Sequence, residues 1–193
     1  MELQVLEYEV SDGQSTELEP AHRVVYRIAD ETAEYTTGAL TLTGPAHVLS
    51  FELVAVASPG AKLSAPVEMD SSDGDRLIRL DRVSFPPGGV AYLHVHKGPG
   101  IRVLLEGEIR IDTDGRSHSY GPLEAWFESG PVPVFAAASE SAPTAFVRCM
   151  VLPADLQGKR SITYVRDADA DKPKPQQYRI LVDEPLVSSS VST

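Results

Sequence analysis

His94 and His96 flank a single valine in Leu93-His94-Val95-His96, and their type and spacing could do chemistry. On a β-strand, residues two apart project from one face with Cα atoms about 7 Å apart. Two imidazoles so placed can each turn a ring nitrogen toward one point. They could hold a divalent ion, at about 2.0–2.1 Å for zinc. As neutral rings titrating near neutrality, they could instead act as general bases. Tyr92 shares their parity and is expected to face the same way, its hydroxyl a candidate proton donor or its ring a filler of the interior. Arg102 is expected to point inward if its strand runs regularly from Gly100. A buried guanidinium needs an anion, either a substrate carboxylate gripped through two N–H groups or an internal Glu.

These residues must be positioned by strands. Fifteen prolines and fourteen glycines punctuate short apolar runs, and helical periodicity is nearly absent. The clearest strand is 101–111, with Ile101, Val103, Leu105, Ile109 and Ile111 on one parity and Leu104 as the exception. Asp114-Gly115 supplies a turn suited to positive φ, and His118 follows it as an exposed hairpin residue. Further strands are predicted at 3–10, 22–28, 47–56, 78–84, 90–96, 124–128, 144–151, 161–165 and 177–183. Trp126 and Phe127 fall on opposite faces of their strand as packing residues, with Trp126 also a candidate substrate contact. Residues 57–75 are expected to form a connection, and 166–175 a solvated acidic loop that lacks the parts of a calcium loop. An all-β chain of this kind makes a barrel or a sandwich.

Composition limits the functions. A net charge of −11 disfavours nucleic acid and anionic membranes as partners. Cys149 is the single cysteine, so an intramolecular disulfide and a cysteine-based zinc site are excluded, and a reduced, cytoplasmic protein is expected. No apolar run reaches the roughly 18–20 residues of a membrane span, and the N-terminus lacks the features of a signal peptide.

The segment Gly88–Gly107, GGVAYLHVHKGPGIRVLLEG, resembles the first motif of the cupin superfamily. Its leading glycine, both histidines and closing glycine match without a gap, while the family's glutamate position holds Gly100. The second cupin motif aligns loosely with 121–139, where its histidine position falls on Pro133 or Val132. The resemblance implies a cupin barrel, with iron, manganese, nickel or zinc as metals and dioxygenase, isomerase or lyase chemistry. With two family ligands missing, Glu128 is the candidate replacement ligand beside His94 and His96, ahead of Glu124 and Cys149. Cys149 itself reads as a small buried hydrophobe. The alternatives are an isomerase or cyclase that needs no metal and uses histidine as base with Tyr92 as acid, and a binding module without catalysis.

The motif covers residues within 78–153, the expected barrel core. Residues 1–77 are expected to form a strand-rich extension packed on it, 154–185 further strands with the acidic loop, and 186–193 a flexible tail. Residues 38–53 resemble the end of a second cupin motif, Gly44 preceding His47, and 19–35 an eroded first motif containing His22. A degenerate bicupin is therefore the alternative to a single barrel. A small organic ligand and a homodimer are the expected partners.

Overall fold

The computed structural model describes residues 1–69 and 75–186; the expected C-terminal tail, apart from Leu186, lies outside them. Almost every element is a strand. One sheet is built from β1 (Glu2–Val10), β3 (His22–Arg27), β4 (Thr32–Thr36), β6 (Ala46–Val54) and β7 (Leu63–Pro66), in the order β4-β3-β6-β1-β7. A ribbon pairs β2 (Ser15–Leu18) with β5 (Leu40–Thr43). A second sheet runs β13-β10-β15-β8-β17, from β8 (Arg76–Phe85), β10 (Gly100–Glu106), β13 (Ala125–Glu128), β15 (Thr144–Pro153) and β17 (Gln177–Leu186). A third runs β12-β11-β14-β9-β16, from β9 (Val90–His96), β11 (Ile109–Thr113), β12 (Arg116–Tyr120), β14 (Val134–Ala138) and β16 (Ile162–Tyr164). Among the described residues, no helix is long and apolar enough to cross a membrane.

The second and third sheets face one another as the barrel. Its apolar end is filled by Phe85, Leu104, Ile111, Trp126, Val134 and Phe146. The second sheet is buried on its other face too. Leu80, Ile101, Val103, Val147 and Cys149 pack there with Leu3, Val24, Tyr26 and Phe51 of the first sheet in one cluster. This double burial explains why β10 and β15 read as near-continuous apolar runs rather than clean alternation.

The strand predicted at 101–111 is two strands in different sheets. Gly107 takes φ +78°, and a Cβ there would lie 2.4 Å from the Pro143 carbonyl, so the chain turns at this residue from β10 into β11. The Leu104 exception also has a cause. Leu104 shares the parity of Gly100 and Arg102 and faces the apolar end of the barrel, while Ile101 and Val103 face the first sheet, so both faces of β10 carry apolar residues; the extra residue of β10 against β15 follows, between Leu104 and Glu106. Five short strands were not anticipated: β2, β4, β5, β7 and β14. The expected connection 57–75 contains β7, and the expected acidic loop contains a one-turn helix, α1 (Asp167–Ala170), in which Asp169 is buried and paired with Lys172 at 2.6 Å. The turn at Asp114-Gly115 has the expected positive φ at both residues, and His118 is exposed.

The N-terminal strands repeat the barrel's topology. The order β4-β3-β6-β1-β7 maps onto β13-β10-β15-β8-β17 strand for strand, and the ribbon β2-β5 maps onto β9-β14. The hairpin β11–β12 has no counterpart, because β3 turns directly into its neighbour β4. The mapping corrects the expected position of an eroded first motif. His22 lies on β3, the counterpart of β10, whereas the strand equivalent to β9 is β2, which carries no histidine. Val10, Leu18, Val25, Leu42 and Val48 form this half's own small core.

Candidate functional site

His94 and His96 sit on β9 where it passes between β14 and β16, opposite Val134 on one side and Tyr164 and Ile162 on the other. Both are buried, at 5% and 4% exposure, and both line a cavity of about 100 Å³ inside the barrel. Close backbone packing fixes the end of the strand. The His96 amide donates to the Gly130 carbonyl at 2.8 Å, and a Cβ on Gly130 would meet Gly98 at 2.8 Å. Glycine at 130 lets the two turns touch, while glycine at 98 makes room for the Val151 carbonyl.

The imidazoles are set almost perpendicular, with ring centroids 4.9 Å apart and their Nε2 atoms 3.2 Å apart. His94 Nδ1–H donates to the Tyr92 carbonyl at 2.7 Å. A carbonyl only accepts, so this bond fixes the proton on Nδ1 and leaves Nε2 of the neutral ring with its lone pair. His96 then carries its proton on Nε2, facing both His94 Nε2 and Glu128 Oε2, the latter at 3.3 Å. Burial pushes both rings below the usual histidine range, His96 to about 3, so both are neutral at physiological pH.

Glu128 on β13 lies across the sheet from Gly100, the position at which the family pattern has its glutamate. Its Oε1 accepts from Trp126 Nε1 at 2.9 Å, and its Oε2 lies 2.8 Å from Arg102 Nη2. Burial raises its carboxyl, but the Arg102 charge outweighs this and holds it far below the ordinary carboxylate range. Burial lowers Arg102 to about 10, so it stays charged, and its Nη1 donates to the Gly100 carbonyl at 2.5 Å. The structure therefore brings His94, His96, Glu128, Arg102 and Trp126 together around one cavity.

Tyr92 is not among the cavity's lining residues. β9 has an extra residue against β14 between Ala91 and His94, which reverses the parity upstream of His94. Ala91 lines the cavity, while the Tyr92 ring lies under Lys172 Nζ, 4.6 Å from its centroid. Tyr92 contributes its backbone carbonyl to the site, not its hydroxyl. Cys149 faces the first sheet as a buried apolar residue.

The donor set can be tested against a metal. Two nitrogens 3.2 Å apart have the separation of neighbouring ligands on a first-row ion, and the Nδ1–H to carbonyl bond is common in metal-binding histidines. Among the described residues a third free donor beside them is lacking. Glu128 is committed to Arg102 and Trp126, Gly100 has no side chain, and Val134 stands opposite His94. A resident ion takes three or more protein ligands, so these residues as arranged do not fit one. Among the described residues, the His and carboxylate donors that all lie within 4.8 Å are those of Glu7, Glu9 and His47 on β1 and β6, where Lys62 already pairs with Glu7 at 2.5 Å.

Sequence reasoning missed Arg148, Asp81 and Arg79, which also line the cavity. Arg148 pairs with Asp81 through Nε at 2.6 Å and Nη2 at 3.1 Å. Arg79 grips Asp183 and donates to the Leu156 and Lys159 carbonyls, anchoring the segment that leads to β16. The available signal was charge inside otherwise apolar strands, in Arg79-Leu80-Asp81 and Val147-Arg148-Cys149.

No protein-family model matches the sequence, and no curated protein matches it. Among solved structures, the chain is similar to the polyketide cyclase RemF from Streptomyces resistomycificus, at 20% identity over 52% of this chain and 68% of that one, with a TM-score of 0.40. It is similar to an oxalate oxidase in complex with the substrate analogue glycolate, at 17% identity over 50% of this chain and 52% of that one, with a TM-score of 0.40. It is also similar to AerE from Microcystis aeruginosa, at 9% identity over 79% of this chain and 82% of that one, with a TM-score of 0.41. By its strand order and its Gly88–Gly107 motif, this chain has the cupin fold, with the sheet pattern present twice.

Proposed function

We propose that this protein is a cupin-type enzyme that moves a proton on a small organic molecule held in the barrel, with His94 as base and no resident metal. The observation that carries this reading is the neutral, tautomer-fixed imidazole pair at the cavity wall. His94 Nε2 offers a lone pair, and its present partner, the Nε2–H of His96, has a second acceptor 3.3 Å away in Glu128. When a substrate proton arrives at His94, His96 can turn its N–H toward Glu128 and release the base. The fixed negative charge of Glu128 then stabilises the imidazolium that forms, and Arg102 keeps that carboxylate ionised. Such positioned proton transfer contributes about 10²–10⁴-fold in rate. This chemistry belongs with isomerisation or cyclisation rather than oxygenation.

The test is hydrogen–deuterium exchange at carbon, followed by NMR in D₂O for a panel of small carbonyl compounds, on protein stripped of metals by a chelator. Exchange should proceed with the stripped protein and fall at least about 100-fold in His94→Gln. Stoichiometric metal in the purified protein that is lost in His94→Ala, with exchange only after metal is restored, would overturn the reading. So would exchange that survives His94→Gln.

A further inference from the structure

The duplicated sheets carry equivalent cross-strand rows in which one charge is reversed and one is added. In the first sheet the row runs Thr36, Arg23, Glu52, Gln4 across β4, β3, β6 and β1. In the second it runs Trp126, Arg102, Arg148, Asp81 across β13, β10, β15 and β8. Arg23 and Arg102 are equivalent in sequence as well: Pro20-Ala-His-Arg-Val-Val-Tyr26 aligns with Pro99-Gly-Ile-Arg-Val-Leu-Leu105. In the first sheet the two charges of the row meet each other. Arg23 meets Glu52 directly opposite at 2.7 Å, and Glu52 also accepts from Ser50 and Gln4. A buried arginine at this register is thus inherited by both halves.

What distinguishes the barrel is Arg148, which stands where the other half has Glu52. Its presence sends Arg102 to Glu128 and requires Asp81 as a further counter-charge. Two guanidinium groups side by side are costly without anions to meet them. Among the described residues, no protein group pairs with the Nη1 of Arg148. Five cationic side chains line the cavity: Arg79, Arg102, Arg148, Arg160 and Lys174. Against them stand Asp81 and Glu128 in the lining and Asp183 behind Arg79. A chain of net charge −11 therefore encloses a cavity with cations in excess, and such a pocket concentrates anions. Its opposite wall is apolar, with Phe85, Ile111, Trp126 and Phe146.

We propose that the ligand is a small organic carboxylate with an apolar body. Its carboxylate meets Arg148, and its body packs on Trp126 and Phe146. This deepens the reading above and rests on it for the use of the cavity as the working site. A guanidinium fork matches the plane of a carboxylate, and the aromatic wall suits a flat or short hydrocarbon body.

Trp126 is the single tryptophan of the chain and lines this cavity, so its fluorescence reports occupancy directly. Benzoate, phenylacetate and hexanoate should each be titrated against the wild-type protein beside their primary amides. At least one acid should bind saturably and at least tenfold more tightly than its amide. If no acid binds better than its amide, the proposal fails on the wild-type protein alone. The paired substitution Asp81→Asn with Arg148→Gln removes both charges together and leaves no lone buried ion. It should lower acid affinity at least tenfold and leave amide affinity unchanged, while Arg148→Lys should retain a preference for the acid. Undiminished acid binding in the paired variant would also overturn the assignment. His94→Gln should still bind the acid, so loss of carbon exchange with binding intact separates this proposal from the catalytic one.

Discussion

His96 is buried at 4% exposure, and among the described residues its Nδ1 has no hydrogen-bond partner. Burial strips water from a protonated ring, and the Arg102 charge opposes a second cation beside it, which is why its pKa falls to about 3 from 6.5. The sign of the resulting pH dependence follows. Once unfolded, the ring takes up a proton near pH 6.5, while the native ring refuses it until about 3. Between those values the unfolded chain binds more protons, so acidification favours unfolding. Glu128, whose carboxyl is depressed in the native state, adds to the loss below its ordinary range. Urea unfolding at pH 6.5 and 4.5 should show wild type losing about 2–3 kcal/mol more than His96→Gln, from roughly 1.4 kcal/mol per pH unit. Equal losses in the two proteins would show that His96 does not titrate in this way.

Strand irregularities decide which side chains reach the cavity. The sequence is transparent where alternation is regular: the i, i+2 relation of His94 and His96 needs no tertiary information, and Arg102 follows from Gly100 by the same rule. It is opaque at the bulges, because pairing with β14 and β15 sets them and nothing in the bulged segments alone marks them. Tyr92 was misplaced for this reason, while the apolar Leu104 on the Arg102 parity was a visible trace of a strand buried on both faces. Glu128 was legible only through its motif neighbourhood. Its link to Arg102 depends on the β10–β13 register, which no local pattern reveals. Packing around β10 also leaves no room for a side chain at Gly100. A Cβ on Gly100 would lie 2.5 Å from the Cys149 carbonyl and 2.7 Å from Met150 Cγ. Restoring the motif by Gly100→Glu should therefore cost about 1–3 kcal/mol or more and create no zinc site. Thermal unfolding and zinc titration check both parts, and a fully stable Gly100→Glu protein binding one zinc would contradict them.

At the scale of the whole molecule, the first sheet and the barrel share one apolar cluster that joins Phe51 and Tyr26 to Ile101 and Cys149. Neither layer can leave without exposing the other, so calorimetry should record a single transition whose calorimetric and van't Hoff enthalpies agree. Two resolved transitions would show that the layers fold independently. The duplication was only faintly legible, since the shared Pro-x-x-Arg-Val pattern spans a few residues and β2, β4 and β5 are short. The repeat also has a bearing on evolvability. The N-terminal copy lacks the hairpin and pairs its buried Arg23 directly with Glu52, so it acts as ballast: stability held in a layer packed against the barrel. Its twin is thereby free to carry an unpaired imidazole nitrogen and adjacent guanidinium groups that a lone barrel of this size would struggle to bear.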